Sequence, residues 1–86
     1  MFTDVDANMK IAQREVFGPV LSIIRWKSVD EAIGIANSTE FGPTAAIWTN
    51  DINLALKTAR SVQSGYIWVN GVSAHFPAVP FGGYKN

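Results

Sequence analysis

Two stretches of this chain repeat their apolar residues at helical intervals, and short apolar runs, each of strand length, flank them. This alternation constrains the fold more than any other feature, because parallel strands need a crossover of about a dozen residues and a helix is the usual one. Val20-Leu21-Ser22-Ile23-Ile24-Arg25-Trp26 is β-branched and mostly apolar, which suits a strand covered on both faces. Ser28 then opens a helix reaching Asn37. Ser28 and Glu31 have capping-box spacing, Asp30 and Glu31 put negative charge in the first turn, and Val29, Ala32, Ile33 and Ala36 form a stripe. Phe41-Gly42-Pro43 ends that unit.

Thr44 to Thr49 reads as a second strand, and Asn50 or Asp51 is placed to cap a second helix extending to Ser64, with Ile52, Ala55, Leu56, Ala59 and Val62 as its stripe. Gly65 falls where a left-handed helix cap is expected, and Tyr66-Ile67-Trp68-Val69 supplies a third strand. The expected architecture is an α/β unit, β-α-β-α-β, with a three-stranded parallel sheet and helices packed on it. Met1 to Pro19 and Asn70 to Asn86 have no apolar period and read as irregular. Loops beyond the carboxyl ends of parallel strands are where α/β proteins place ligands.

At 86 residues the chain holds one small domain, with no room for separate cofactor and substrate domains. Hydrophobic residues at 48% against 16% charged, with Trp26, Trp48 and Trp68 spread along the chain as expected core residues, exclude a disordered segment. Seven basic and seven acidic residues cancel and form no block, so neither nucleic acid nor an anionic membrane is an expected partner. The absence of cysteine removes disulfides and thiol nucleophiles, and the single His75 makes no metal site unaided. Met1 to Lys10 has no apolar run to serve as a secretory signal and no segment reaches membrane-spanning length, so a cytoplasmic location is expected. On the same ground the glycosylation pattern Asn37-Ser38-Thr39 is expected to go unused.

Neither a glycine-rich Rossmann turn nor a Walker A loop is present, so any cofactor contact is of another kind. Gln13-Arg14-Glu15-Val16-Phe17-Gly18-Pro19-Val20 resembles the E-I/V-F-G-P-V motif of the NAD(P)-dependent aldehyde dehydrogenase family. The resemblance extends to Asp30–Asn37, like the family's D-E-A-I-x-x-A-N helix, to Phe41–Thr49 and Gly65–Asn70, like two of its strands, and to Phe81-Gly82-Gly83-Tyr84-Lys85, like its P-F-G-G-x-K turn. Order and spacing agree from Phe2 to Asn86, which implies a single partial catalytic domain over residues 1–86, from the C-terminal part of the enzyme's catalytic domain.

The resemblance implies that Glu15 accepts hydrogen bonds from the nicotinamide ribose hydroxyls and that Phe17 lies against the nicotinamide ring. An ionised carboxylate offers acceptors and no donor, which suits a diol, and an aromatic face suits a flat heterocycle. On the octapeptide alone, Glu15 reads equally as a solvated charge and Phe17 as a core anchor before a Gly-Pro turn. The resemblance further implies that Phe81 walls the substrate tunnel, with His75 and Phe76 tuning selectivity. Read as residues only, His75 is a lone titratable group in a loop. Asn70 reads more simply as a backbone fastener than as a substrate contact, and Gly82-Gly83 as a tight backbone path rather than a phosphate cradle, since no helix follows.

The family reaction needs a cysteine thiolate, an upstream glutamate that activates water and a Rossmann-type cofactor domain, so no catalytic residue is expected in this chain. Pro43 stands where many members have leucine, which should bend entry to the second strand. The chain is therefore expected to be inactive alone and to bind neither NAD nor NADP tightly, its partners being the remainder of the enzyme, a small-molecule aldehyde there, or a second copy of itself. The alternative is a stand-alone, non-catalytic binding or assembly module derived from the same family, whose open sheet edges would invite pairing with another chain.

Overall fold

A computed structural model of the chain describes residues 1–85. Asn86, the last residue of the motif match, lies outside them. The chain divides into two compact units, Met1–Thr39 and Glu40–Asn86.

In the first unit, helix α1 is a single turn, Lys10–Gln13, and helix α2 runs from Val29 to Asn37. Ser28 caps α2 as its spacing predicts, its hydroxyl accepting from the Glu31 N–H at 3.1 Å. The Glu31 carboxylate reaches back to the backbone N–H of Lys27 at 2.7 Å, one residue before the N-cap whose N–H a capping box would engage. Val29, Ala32 and Ile33 of the stripe are half-buried and Ala36 is exposed. The turn α1 falls in a segment read as irregular. It forms where Asp6 turns the chain, its carboxylate accepting from the Asn8 N–H at 2.8 Å and its carbonyl from the Met9 N–H at 3.0 Å.

Val20–Trp26 departs from the expectation. Among the described residues the sheet has two strands and not three, and this run is not one of them. Its backbone pairs instead with the start of the chain. The Phe2 N–H donates to the Leu21 carbonyl at 2.7 Å, the Ile23 N–H to that of Phe2 at 2.8 Å and the Val5 N–H to that of Ile23 at 3.3 Å, around one parallel bridge, Phe2↔Ser22. Groups satisfied in this way need no sheet neighbour.

The second unit is a β-α-β arrangement. Strand β1, Thr44–Ile47, leads through helix α3, Ile52–Ser61, to strand β2, Tyr66–Val69. The strands pair in parallel, in register from Thr44↔Tyr66 to Ile47↔Val69, and α3 packs on β1. Asp51 caps α3, accepting from the N–H groups of Asn53 and Leu54 at 3.0 and 3.1 Å. Pro43 costs the ladder nothing, because its carbonyl accepts the Tyr66 N–H at 3.0 Å and that pairing asks no donor of it.

Two readings in this unit change. Helix α3 ends at Ser61 rather than Ser64, its cap residue Val62 already extended at ψ 126°. Gly65 therefore caps no helix, and its φ is not positive. A Cβ there would collide with the carbonyl oxygen of Gly82, so the absent side chain lets residues 82 and 83 pass close to the start of β2.

The core is small. Val5 and Ala55 are the buried hydrophobic residues among those described. Trp26 and Trp48, expected inside, are 56% and 67% exposed, and Trp68 is half-buried. These rings are apolar without enough chain around them to cover them.

Candidate functional site

The Arg14–Val20 segment follows α1 and owes its shape to Gly18 and Pro19. The Val20 N–H donates to the Gly18 carbonyl at 2.8 Å across Pro19, a three-residue turn that suits the ring-fixed φ of proline. Gly18 has φ +118°, a region closed to most side chains. Immediately before this rigid turn, Glu15 is exposed and Phe17 is 91% exposed. Of the two readings of Phe17, the core anchor is thus overturned within this chain. Its ring presents a free apolar face, and Glu15, two residues before it, carries acceptor oxygens in solvent.

The other candidates lie in the second unit, on the loop that leaves β2. Asn70 begins it in a left-handed conformation, φ 53°. Its amide clasps residue 49. The side-chain oxygen accepts the Thr49 N–H at 2.9 Å and the side-chain nitrogen donates to the Thr49 carbonyl at 3.0 Å, while the Asn70 N–H donates to Ile47 at 2.8 Å. Asn70 is a fastener that holds the carboxyl ends of β1 and β2 together, as read from the sequence.

Beyond it the loop returns over β2. His75 and Phe81 meet edge to face, ring centroids 4.6 Å apart, and both contact Tyr66, at 5.6 and 5.5 Å. Trp68 joins them, 5.5 Å from His75 and 4.9 Å from Tyr66. Tilted and edge-on rings at these separations set positive edges against negative faces. The structure thus unites His75 and Phe81. Phe76 is 63% exposed and makes no ring contact among the described residues.

Tyr66 and Trp68 escaped the sequence reading as members of this cluster, although their spacing held the signal. Residues two apart on a strand share a face. Among the described residues no group of histidine, aspartate or glutamate side chains is placed to hold a metal ion, and no helix is long and apolar enough to cross a membrane.

The chain matches the family model described as the aldehyde dehydrogenase family over residues 1–86. It is 48% identical over 86 residues to aldehyde dehydrogenase tropH of Talaromyces stipitatus, covering all of this chain and 17% of that protein. It is 46% identical over 85 residues to human retinaldehyde dehydrogenase 3, covering 99% of this chain and again 17% of the relative. Among solved structures it resembles the indole-3-acetaldehyde dehydrogenase AldA of P. syringae, in complex with NAD+ and IAA. The TM-score is 0.93 at 44% identity, over 96% of this chain and 17% of that one. The chain spans about a sixth of the length of these relatives.

Proposed function

The chain belongs to the aldehyde dehydrogenase family, and from that premise we propose that it is a segment of an NAD(P)-dependent aldehyde dehydrogenase. It comes from the C-terminal part of the catalytic domain and contributes nicotinamide-ribose contacts and part of the substrate tunnel. Glu15 and Phe17 hold the nicotinamide half of the cofactor, while His75, Phe76 and Phe81 line part of the aldehyde tunnel. The observation that carries this reading is the Glu15-Val16-Phe17-Gly18-Pro19 segment. Its turn is fixed by Gly18 and Pro19, and it leaves a carboxylate and a ring exposed two residues apart. These groups suit a ribose diol and a flat heterocycle. No glycine-rich turn serves the adenosine half, which this reading assigns to the rest of the enzyme.

A bound nicotinamide, held by Glu15 and Phe17, would supply hydride-accepting chemistry at the substrate carbon. The work of this chain is positional. Glu15 fixes the ribose by its hydroxyls, Phe17 limits rotation of the ring, and the loop side chains bound the space for the aldehyde. Orientation of this kind contributes several kcal/mol of barrier reduction, part of the roughly 7–11 available from full positioning. The nucleophile and the water-activating carboxylate belong to the longer protein, in the cytoplasm on this reading.

The isolated chain is accordingly expected to oxidise no aldehyde. Incubation with NAD or NADP and a panel of aldehydes at high protein concentration should give no reduced cofactor, and turnover that survives repurification would contradict the proposal.

The extensive exposed apolar surface also favours a second reading, a stand-alone module that pairs with another chain. The genomic reading frame on either side of these codons separates the two. An open frame encoding a cysteine-bearing segment supports the enzyme, and stop codons on both sides support the module.

A further inference from the structure

Tyr66 and Trp68 point from one face of β2, and each ends in one polar hydrogen. Both donate it to the same acceptor, the Ala74 carbonyl, Trp68 through Nε1 at 2.7 Å and Tyr66 through its hydroxyl at 3.3 Å. A carbonyl oxygen has two lone pairs and accommodates both donors. The alanine side chain offers little to grip, so the loop is held at this point by its backbone. One residue later comes His75, whose ring contacts those of Tyr66, Trp68 and Phe81.

We propose that Tyr66 and Trp68 are positioning residues that fix, through the Ala74 carbonyl, where the loop presents His75 and Phe81. The proposal deepens the function argued above and rests on it for the claim that these two side chains face the aldehyde. The indole carries the larger share, because its bond is the shorter and a rigid two-torsion ring that donates only can be satisfied in few directions. The strand thereby acts as a template. Two residues in regular structure impose a conformation on the middle of a loop whose internal backbone bonding, among the described residues, is the Val79 N–H to the Phe76 carbonyl at 3.2 Å, its far end being tied by the Tyr84 N–H to the Gly42 carbonyl at 3.2 Å.

The test uses the 86-residue chain with isotope-labelled histidine, at the low concentrations where light scattering gives the monomer mass, since its one histidine gives a single imidazole spin system. Nuclear Overhauser contacts are expected from the His75 ring to those of Phe81 and Tyr66. Trp68→Phe keeps a ring on β2 and removes the indole N–H, and Tyr66→Phe removes only the hydroxyl. The His75–Phe81 contacts should be largely lost in Trp68→Phe, weakened in Tyr66→Phe and absent in the double variant, while contacts between Ile47 and Val69 persist. Unchanged His75–Phe81 contacts in the double variant would overturn the proposal. Should Trp68→Phe also lose the Ile47–Val69 contacts, Tyr66→Phe decides alone, weakening supporting the proposal and full retention overturning it.

A second arm separates this inference from the reading beneath it. In the longer enzyme, Trp68→Phe and His75→Ala should both raise the aldehyde KM several-fold and leave kcat nearly unchanged, the pattern of lost binding rather than lost chemistry. If neither constant moves in His75→Ala, the substrate-facing reading fails, and the loop-anchoring result stands or falls on the resonance data.

Discussion

Gly65 shows what one missing Cβ does here. A methyl group at this position would collide with the Gly82 carbonyl oxygen and would sit 3.0 Å from the Gly82 carbonyl carbon and 3.4 Å from that of Gly83. All three are backbone atoms, which cannot turn aside as a side chain does. Gly65→Ala is expected to cost about 1–3 kcal/mol, the range for overpacking, seen as a lower urea midpoint. Gly34 is the contrast. It lies in α2 with open space around its Cβ position, so Gly34→Ala should stabilise by about 0.5–1 kcal/mol. The sequence marked Gly65 as special but assigned the wrong cause, because a helix cap is a local signal and the approach of residue 82 is not. Phe17 and the tryptophans carry the same lesson. Their types say that burial is favourable, while whether chain is present to bury them depends on residues far away.

At the scale of elements, local signals carried furthest. Ser28 and Asp51 cap α2 and α3 as spacing predicts, since a cap involves only residues within one turn. Asp51→Ala should therefore cost about 1 kcal/mol, read as a lower midpoint together with a loss of helical circular dichroism. Strands were less legible. A β-branched run states that it wants an extended partner without naming one, and Val20–Trp26 found Phe2 and Val5 in a segment without period. The candidate site divides in the same way. Motif resemblance named Glu15, Phe17, His75, Phe76 and Phe81 as candidates, of which the fold brings His75 and Phe81 together, whereas Tyr66 and Trp68 became visible only when the loop folded back onto β2.

For the whole molecule the decisive fact is how little is buried. With Val5 and Ala55 as the buried hydrophobics among the described residues, side chains such as Trp48, Ile52 and Leu56 remain 67%, 64% and 46% exposed. A two-stranded sheet keeps two open edges, and a net charge of zero supplies no repulsion between chains. The isolated chain is expected to self-associate, with a symmetric dimer the simplest closed form. Light scattering over a concentration series should show mass rising with concentration, and a constant monomer mass up to the solubility limit would show that the chain protects its own edges. Under the proposed function the remainder of the domain would cover the same surface in the longer enzyme, and the segment would serve to aim a cofactor. The most direct measurement of that role is the pre-steady-state burst of reduced cofactor in the full-length enzyme. Glu15→Gln and Phe17→Ala should each slow the burst while cofactor affinity changes little, because the proposed function assigns the adenosine half to the rest of the enzyme. Wild-type burst rates in both variants would contradict the assignment.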